Sequence, residues 1–354
     1  MGRFSNGFSD SGPSAMIASL RPASAVTSVV MTVAATTTSV WISDGSDGLG
    51  RRVLDRLESS TQLSVADIDH SDVVVWLASA DADARARRRQ SATEGFTTAL
   101  ADAHHARHLV LVSSAMVYGA WANNPVPITE EAVLRPDVEF VYARQLGAVE
   151  QLADEWRLAV PGRTVTVLRP AVAMAADGTS GLAAALAAGM GQRFGEDDPP
   201  AQFLHIDDLA SAVLVAVEQQ LDGVYNVAPD GWVAGERVRA LAGAVPRLKL
   251  PERLTEVIGN LRWRFQRGPI PPGLRSYTRW SWLVANDRLK AEGWAPTVTN
   301  EQAYVEGTEA KWWTMVSPKR RQEVALGGLA ALLVAIGLIV WRAVVRARRR
   351  RSGR

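Results

Sequence analysis

The chain contains no cysteine, so disulfide bridges, thiolate catalysis and cysteine-ligated metal are all excluded. It also lacks a strong excess of either charge: 39 lysines and arginines stand against 37 acids, a net of +2. That balance gives little support to nucleic-acid binding over the whole surface. The excess is concentrated at one end, where 342–354 holds seven arginines and no acid. A hydrophobic fraction of 47% and a charged fraction of 21% over 354 residues are ordinary for a globular protein of one large or two modest domains.

Residues 1–30 are rich in Ser, Ala and Gly and show no sustained period. They read as a disordered leader, or as sequence ahead of a true start at Met31, with a cleaved signal as the alternative. The patterned part then alternates strand and helix. Ser39-Val-Trp-Ile-Ser43 is a strand, Asp44-Gly-Ser-Asp-Gly-Leu-Gly50 a glycine-rich turn, and 51–57 the start of a helix. Strand, glycine-rich turn and helix in that order make a dinucleotide-binding unit. Further strands are expected at 73–77, 109–112, 164–170 and 223–228. Helices are expected between them, one ending near His105, one beginning near Tyr142, one opened by Asp207 or Asp208 as its cap, and one near 236–244. This alternation argues for an α/β fold, a doubly wound parallel sheet.

The stretch Leu109-Val-Leu-Val-Ser-Ser-Ala-Met-Val-Tyr-Gly119 is its centre. A short apolar strand runs out into hydroxyls, and the carboxyl end of a parallel strand is where an open α/β sheet keeps its chemistry. Tyr142 follows Ser114 by 28 residues at the head of "VYARQLGAVEQ". Together with "LRPAV", "FLHIDDLA" and "GVYNVAP", these segments resemble the extended short-chain dehydrogenase/reductases, the NAD-dependent epimerase/dehydratase family. The resemblance spans about Ser39 to Ala310. It implies a Rossmann-like domain over 31–250, with a small substrate lobe over 251–321. It also implies NAD or NADP as cofactor, a nucleotide-linked small molecule as ligand, and a homodimer through the Tyr142 helix. By the same resemblance Ser114 and Tyr142 are the catalytic candidates, Gly45, Gly48, Leu49 and Gly50 form the phosphate turn, and Asp67 or Asp69 stands for the acid that holds the adenosine ribose, with a plain loop position as the alternative for each.

Three departures fall on the chemistry. The family's tyrosine is followed four residues later by a lysine that lowers its pKa and holds the cofactor ribose; here that residue is Leu146. Counting back from Gly50, Asp44 and Asp47 stand where the first two glycines of Gly-x-x-Gly-x-x-Gly belong. A carboxylate about 4 Å from a phosphate costs on the order of 4 kcal/mol at an effective dielectric of about 20. Both aspartates serve better as caps for the helix that follows. Finally, the span between the first helix and Val73 holds one strand at most, at Gln62–Ile68, so the adenosine side of the site is trimmed.

From Pro251 to Arg321 arginine and tryptophan become frequent, with Trp263, Trp280, Trp282, Trp294, Trp312 and Trp313. Leu254–Gly268 reads as a basic amphipathic helix, packed on the small lobe or lying on a membrane surface. Val324–Trp341 is an uncharged run of eighteen residues. At about 1.5 Å per residue it spans about 27 Å, close to the hydrocarbon core of a bilayer. It reads as a C-terminal transmembrane helix that brings the chain to membrane lipid, with Arg348–Arg351 attracting anionic headgroups. The seven terminal arginines favour a cytoplasmic tail, hence an outward domain. The nicotinamide pool and the lack of a convincing export signal favour a single-pass protein whose domain faces the cytoplasm, the reading adopted.

Other signals are bland. His104, His105 and His108 read as a solvated helix end with no carboxylate spaced to complete a metal site. His205 reads as structural, and Arg85–Arg89 as a solvated face. Two functions remain open on the sequence. One is a membrane-anchored family member with impaired catalysis that binds or scaffolds. The other is a working NAD(P)-dependent oxidoreductase or epimerase acting on a nucleotide-sugar or lipid-linked substrate.

Overall fold

The computed structural model describes residues 37–46, 48–78, 92–190, 198–242 and 272–308. A six-stranded parallel sheet is built from β1 (Thr38–Ile42), β2 (Leu63–Val65), β3 (Val73–Leu77), β4 (His108–Val112), β5 (Thr164–Pro170) and β8 (Gly223–Val227), in the order β2-β1-β3-β4-β5-β8. Its middle strands are nearly continuous apolar runs because both faces are covered: every residue of β4 is buried. On one face lie α1 (Gly48–Ser59) and α5 (Ile206–Gln219), packed on each other; on the other lie α2 (Ala92–Asp102) and α3 (Val141–Ala159). Periodicity explains the choice of face. In α1 the buried residues are Gly50, Val53 and Leu57, and in α3 the stripe runs Ala143, Leu146, Val149, Ala153, Trp156.

The trimmed edge is present. Val65 and Val73 both pair with Val40, from opposite sides, so β2 lies along the first half of β1 and β3 along the second. A single 3-10 turn at Ile68–His70 links them, with no helix and no further strand. Asp72 fastens this crossover: its Oδ2 accepts from the Ser39 amide at 3.0 Å and from the Ser39 hydroxyl at 2.6 Å.

Several expectations need correction. The helix at 206 is capped by His205, whose Nδ1 accepts from the Asp207 amide, while Asp207 and Asp208 lie in its first turn. Asp208 instead clasps the small lobe, accepting from the Thr297 amide and hydroxyl and from the Val298 amide. His108 is no solvated helix end. It opens β4 at 1% exposure, and Nδ1 lies 2.8 Å from Thr164 Oγ1. A second, two-stranded parallel sheet pairs β6 (Val172–Met174) with β7 (Phe203–His205), where the pattern of "FLHIDDLA" predicts only a helix start.

Beyond the sheet, α4 (Gly181–Gly189) and α6 (Gly235–Leu241) precede the small lobe, which contributes α7 (Arg275–Arg279), α8 (Asp287–Ala291) and α9 (Asn300–Gly307). Tyr277 locks this lobe to the sheet. Its hydroxyl donates to the Met116 carbonyl at 2.7 Å, its ring packs on Phe140, and its own carbonyl accepts from the Trp282 indole. Among the described residues no helix is long and apolar enough to cross a membrane. The leader, Arg85–Arg89, Leu254–Gly268, Val324–Trp341 and the basic tail lie outside the described residues.

Candidate functional site

The strand order reverses between β1 and β3, and the crevice above such a point is where an open α/β sheet receives a ligand. The strand ends are held in step there, since the Ser43 hydroxyl accepts from the Leu77 amide at 2.9 Å. A cavity of about 130 Å³ opens at these ends, lined by Leu49, Ala78, Ser114, Tyr142, Leu186 and Trp282 among others.

Ser114 and Tyr142 are therefore brought together on one cavity. Ser114 caps the 3-10 turn Ala115–Tyr118 and accepts from the Met116 amide at 3.2 Å. Tyr142, in the first turn of α3, donates its hydroxyl to the Ala78 carbonyl at 3.1 Å. One helical turn on, Leu146 is 2% exposed, so the position that carries the family's amine is an apolar core position here.

The turn between β1 and α1 is placed less simply. Asp44 Oδ1 accepts from both the amide and the hydroxyl of Ser46, closing a local turn; Asp47 lies outside the described residues. A Cβ at Gly45 would lie 2.2 Å from Leu54 Cδ1, and one at Gly48 would lie 2.7 Å from the Gly178 backbone. Gly48 and Leu49 line the cavity, and Gly50 is buried at the base of α1. Asp67 is exposed, makes no side-chain capping bond, and does not line the cavity.

The segment Asp177-Gly178 thus lies across the head of α1, and Arg52 fixes it. The guanidinium donates to Asp177 Oδ1 at 2.5 Å, to Asp207 Oδ1 at 2.7 Å and to the Gly48 carbonyl at 2.8 Å. Burial works to lower the Arg52 pKa, but the two carboxylates more than offset it and the value is raised. The hydrogen bond and charge of Arg52 hold the Asp177 carboxyl below the usual range. This strap was not legible from spacing: "ADGTS" reads as any loop, 130 residues from its contact at Gly48.

Behind the cavity lies a buried polar network. Ser113 donates to Glu150 at 2.5 Å, Glu150 pairs with Arg169 at 2.7 Å, Arg169 donates to the Tyr118 hydroxyl, and Tyr118 donates to Asn226. Burial pushes the Tyr118 phenol up, and the Arg169 charge partly opposes it. Glu150 and Arg169 escaped the sequence reading as a pair. The signal was there: an acid on the apolar stripe of α3, and an arginine ending an apolar strand.

As they stand, the described residues do not fit a dinucleotide. Pyrophosphate belongs at the amides of a helix N-terminus beside a glycine turn, and here backbone at Asp177 and Gly178 takes the space next to Gly48. No amine follows Tyr142 on its helix face. The cavity is also smaller than the roughly 300–1,000 Å³ typical of small-molecule and cofactor sites. Among the described residues no cluster of His, Asp and Glu could hold a metal ion.

Comparison with known proteins gives a consistent family. Residues 28–228 match the model of the NAD dependent epimerase/dehydratase family. No curated protein matches the chain. Among solved structures it is similar to a Thermus thermophilus UDP-glucose 4-epimerase in complex with NAD, at 16% identity and a TM-score of 0.55, covering 76% of this chain and 97% of that one. It is also similar to a Bacillus anthracis dTDP-glucose 4,6-dehydratase in complex with NAD, at 15% identity and 0.52, covering 79% and 98%. RMD from Pseudomonas aeruginosa, complexed with NADPH, matches at 20% identity and 0.51, covering 76% and 97%. The fold is theirs. With the family model covering more than half its length, the chain belongs to the NAD dependent epimerase/dehydratase family.

Proposed function

We propose that this protein is a family member that has given up hydride chemistry and serves as a binding or scaffolding protein held at a membrane. The observation that carries the reading is the strap: Asp177-Gly178 lies against Gly48 at the head of α1, fastened by Arg52. Leu146 supports it, because a buried leucine can neither tune the Tyr142 phenol nor reach a ribose. Residues 324–341 supply the anchor on this reading, the basic tail adds affinity for anionic lipid, and the domain faces the cytoplasm. Self-association would use α3. Calorimetric titration of the full-length protein with NAD and NADP tests the first part, and membrane fractionation with and without 324–354 tests the second.

The alternative is an active NAD(P)-dependent oxidoreductase or epimerase on a nucleotide-sugar or lipid-linked substrate. One observation favours it: Ser114 and Tyr142 line the same cavity. On that reading the strap is displaced by the cofactor, and micromolar NAD or NADP affinity is the expected result.

A further inference from the structure

We infer that the cavity at the strand ends binds a small neutral molecule, about one ring in size, that carries a carbonyl or hydroxyl oxygen. The inference rests on the reading above that a dinucleotide is not the occupant, and it names what is.

The lining supplies the first argument. Among the described residues around this cavity none is charged. The walls are apolar and firmly buried, with Val112, Leu186, Leu209 and Trp282 all under 9% exposed. Arg52, the cation at the neighbouring strap, is already bonded to Asp177 and Asp207. Arg169, behind the wall, is paired with Glu150. A phosphate or carboxylate drawn into this space would lose water with no cation among the described lining residues to replace it, which disfavours the nucleotide-linked ligands the family resemblance suggests.

Size supplies the second argument. About 130 Å³ is close to the roughly 150 Å³ of an engineered apolar cavity that holds benzene. A space of that size is filled by one ring.

Hydroxyl accounting supplies the third. Ser113 also lines the cavity, but its proton goes to Glu150. Ser114 accepts from the Met116 amide and Ser180 from the Ala183 amide, so each uses its oxygen locally and keeps its own O–H to donate. Two donors in an uncharged apolar wall call for an oxygen acceptor on the ligand.

The test uses the full-length protein with 15N-labelled tryptophan. The Trp282 indole N–H, bonded to the Tyr277 carbonyl at 3.0 Å, reports from the cavity wall and is assigned by loss of its signal in Trp282→Phe. Cyclohexanone and cyclohexanecarboxylate are titrated separately. The expected result is a saturable shift with the ketone, and binding at least about tenfold weaker for the carboxylate. Ser114→Ala should weaken the ketone severalfold and leave benzene, which has no oxygen acceptor, unchanged. Ala183→Phe, which fills the space, should abolish both shifts. If the ketone gives no saturable shift in a cooperatively folded sample, or if the carboxylate binds as well, the inference fails. NAD titrated into the same sample separates the two readings. NAD binding overturns the proposed function and this inference with it; silence from both NAD and ketone overturns this inference alone.

Discussion

Gly48 and Gly178 meet backbone to backbone: a Cβ built on Gly48 would stand 2.7 Å from Gly178 Cα. The first residue of α1 and a loop after β6 thereby share the space that a glycine turn ordinarily keeps open for phosphate. Ile206 closes the contact from the side, since a Cβ on Gly178 would lie 3.0 Å from its Cδ1. Arg52 then binds both acids that flank the strap. On the proposed reading, this contact stands where a dinucleotide would otherwise be received.

That contact gives a paired stability prediction. Gly48→Ala should destabilise by about 1–3 kcal/mol, the usual range for overpacking against backbone that cannot yield. Gly147→Ala, in α3 with nothing within 4 Å of the added methyl, should stabilise by about 0.4–1 kcal/mol. Chemical denaturation of both variants checks this; equal and small effects would mean the strap does not press on α1.

Leu146→Lys restores the family's residue without restoring its surroundings. The side chain it replaces is 2% exposed, so the ammonium must be buried or must displace its neighbours. The expected outcome is a lower melting temperature and no NAD-dependent turnover, followed as absorbance at the reduced-nicotinamide band. Strong turnover in this single variant would contradict a site altered at both the amine and the phosphate turn.

The network behind the cavity predicts a larger loss. Glu150→Leu leaves Arg169 buried without its carboxylate and strands the Ser113 hydroxyl, and removal of one partner from such a pair costs about 3–5 kcal/mol. Adding Arg169→Met should recover much of that, because no unpaired charge remains. Urea midpoints for the single and double variants decide it.

Acid should weaken the fold through His108. Burial pushes its imidazole from the ordinary 6.5 down to about 4, with the Asp222 charge in partial opposition. Below pH 6.5 the unfolded chain takes up a proton that the folded chain refuses, so stability falls as pH drops from 6.5 and levels off near 4. The contribution reaches about 3 kcal/mol at the lower end. His108→Gln should flatten the fall in melting temperature between pH 7 and pH 4.5; an unchanged fall in that variant would contradict the assignment to His108.

The sheet was legible in the sequence for a physical reason. Parallel strands buried on both faces must be apolar throughout, and Val73–Leu77 and Leu109–Val112 are. The missing strand was legible by counting, since too few residues separate α1 from Val73. Ser114, Tyr142 and Leu146 could be placed because strand end and helix turn fix their spacing. What escaped depends on contacts distant in sequence. Asp207 and Asp208 look like caps until His205, one residue before the helix, takes that role and the acids turn to Arg52 and Thr297. His108 looks solvated until β4 is seen to begin with it. Strands of three residues, such as Val172–Met174 and Phe203–His205, carry too little pattern to be read alone.

The most direct test is calorimetric titration of NAD and NADP into the full-length protein, with thermal unfolding of the same sample as a check on folding. The account predicts no heat of binding up to millimolar cofactor and no rise in melting temperature. Micromolar binding of either dinucleotide would contradict it, showing that Asp177-Gly178 yields to pyrophosphate and that the site is a working one.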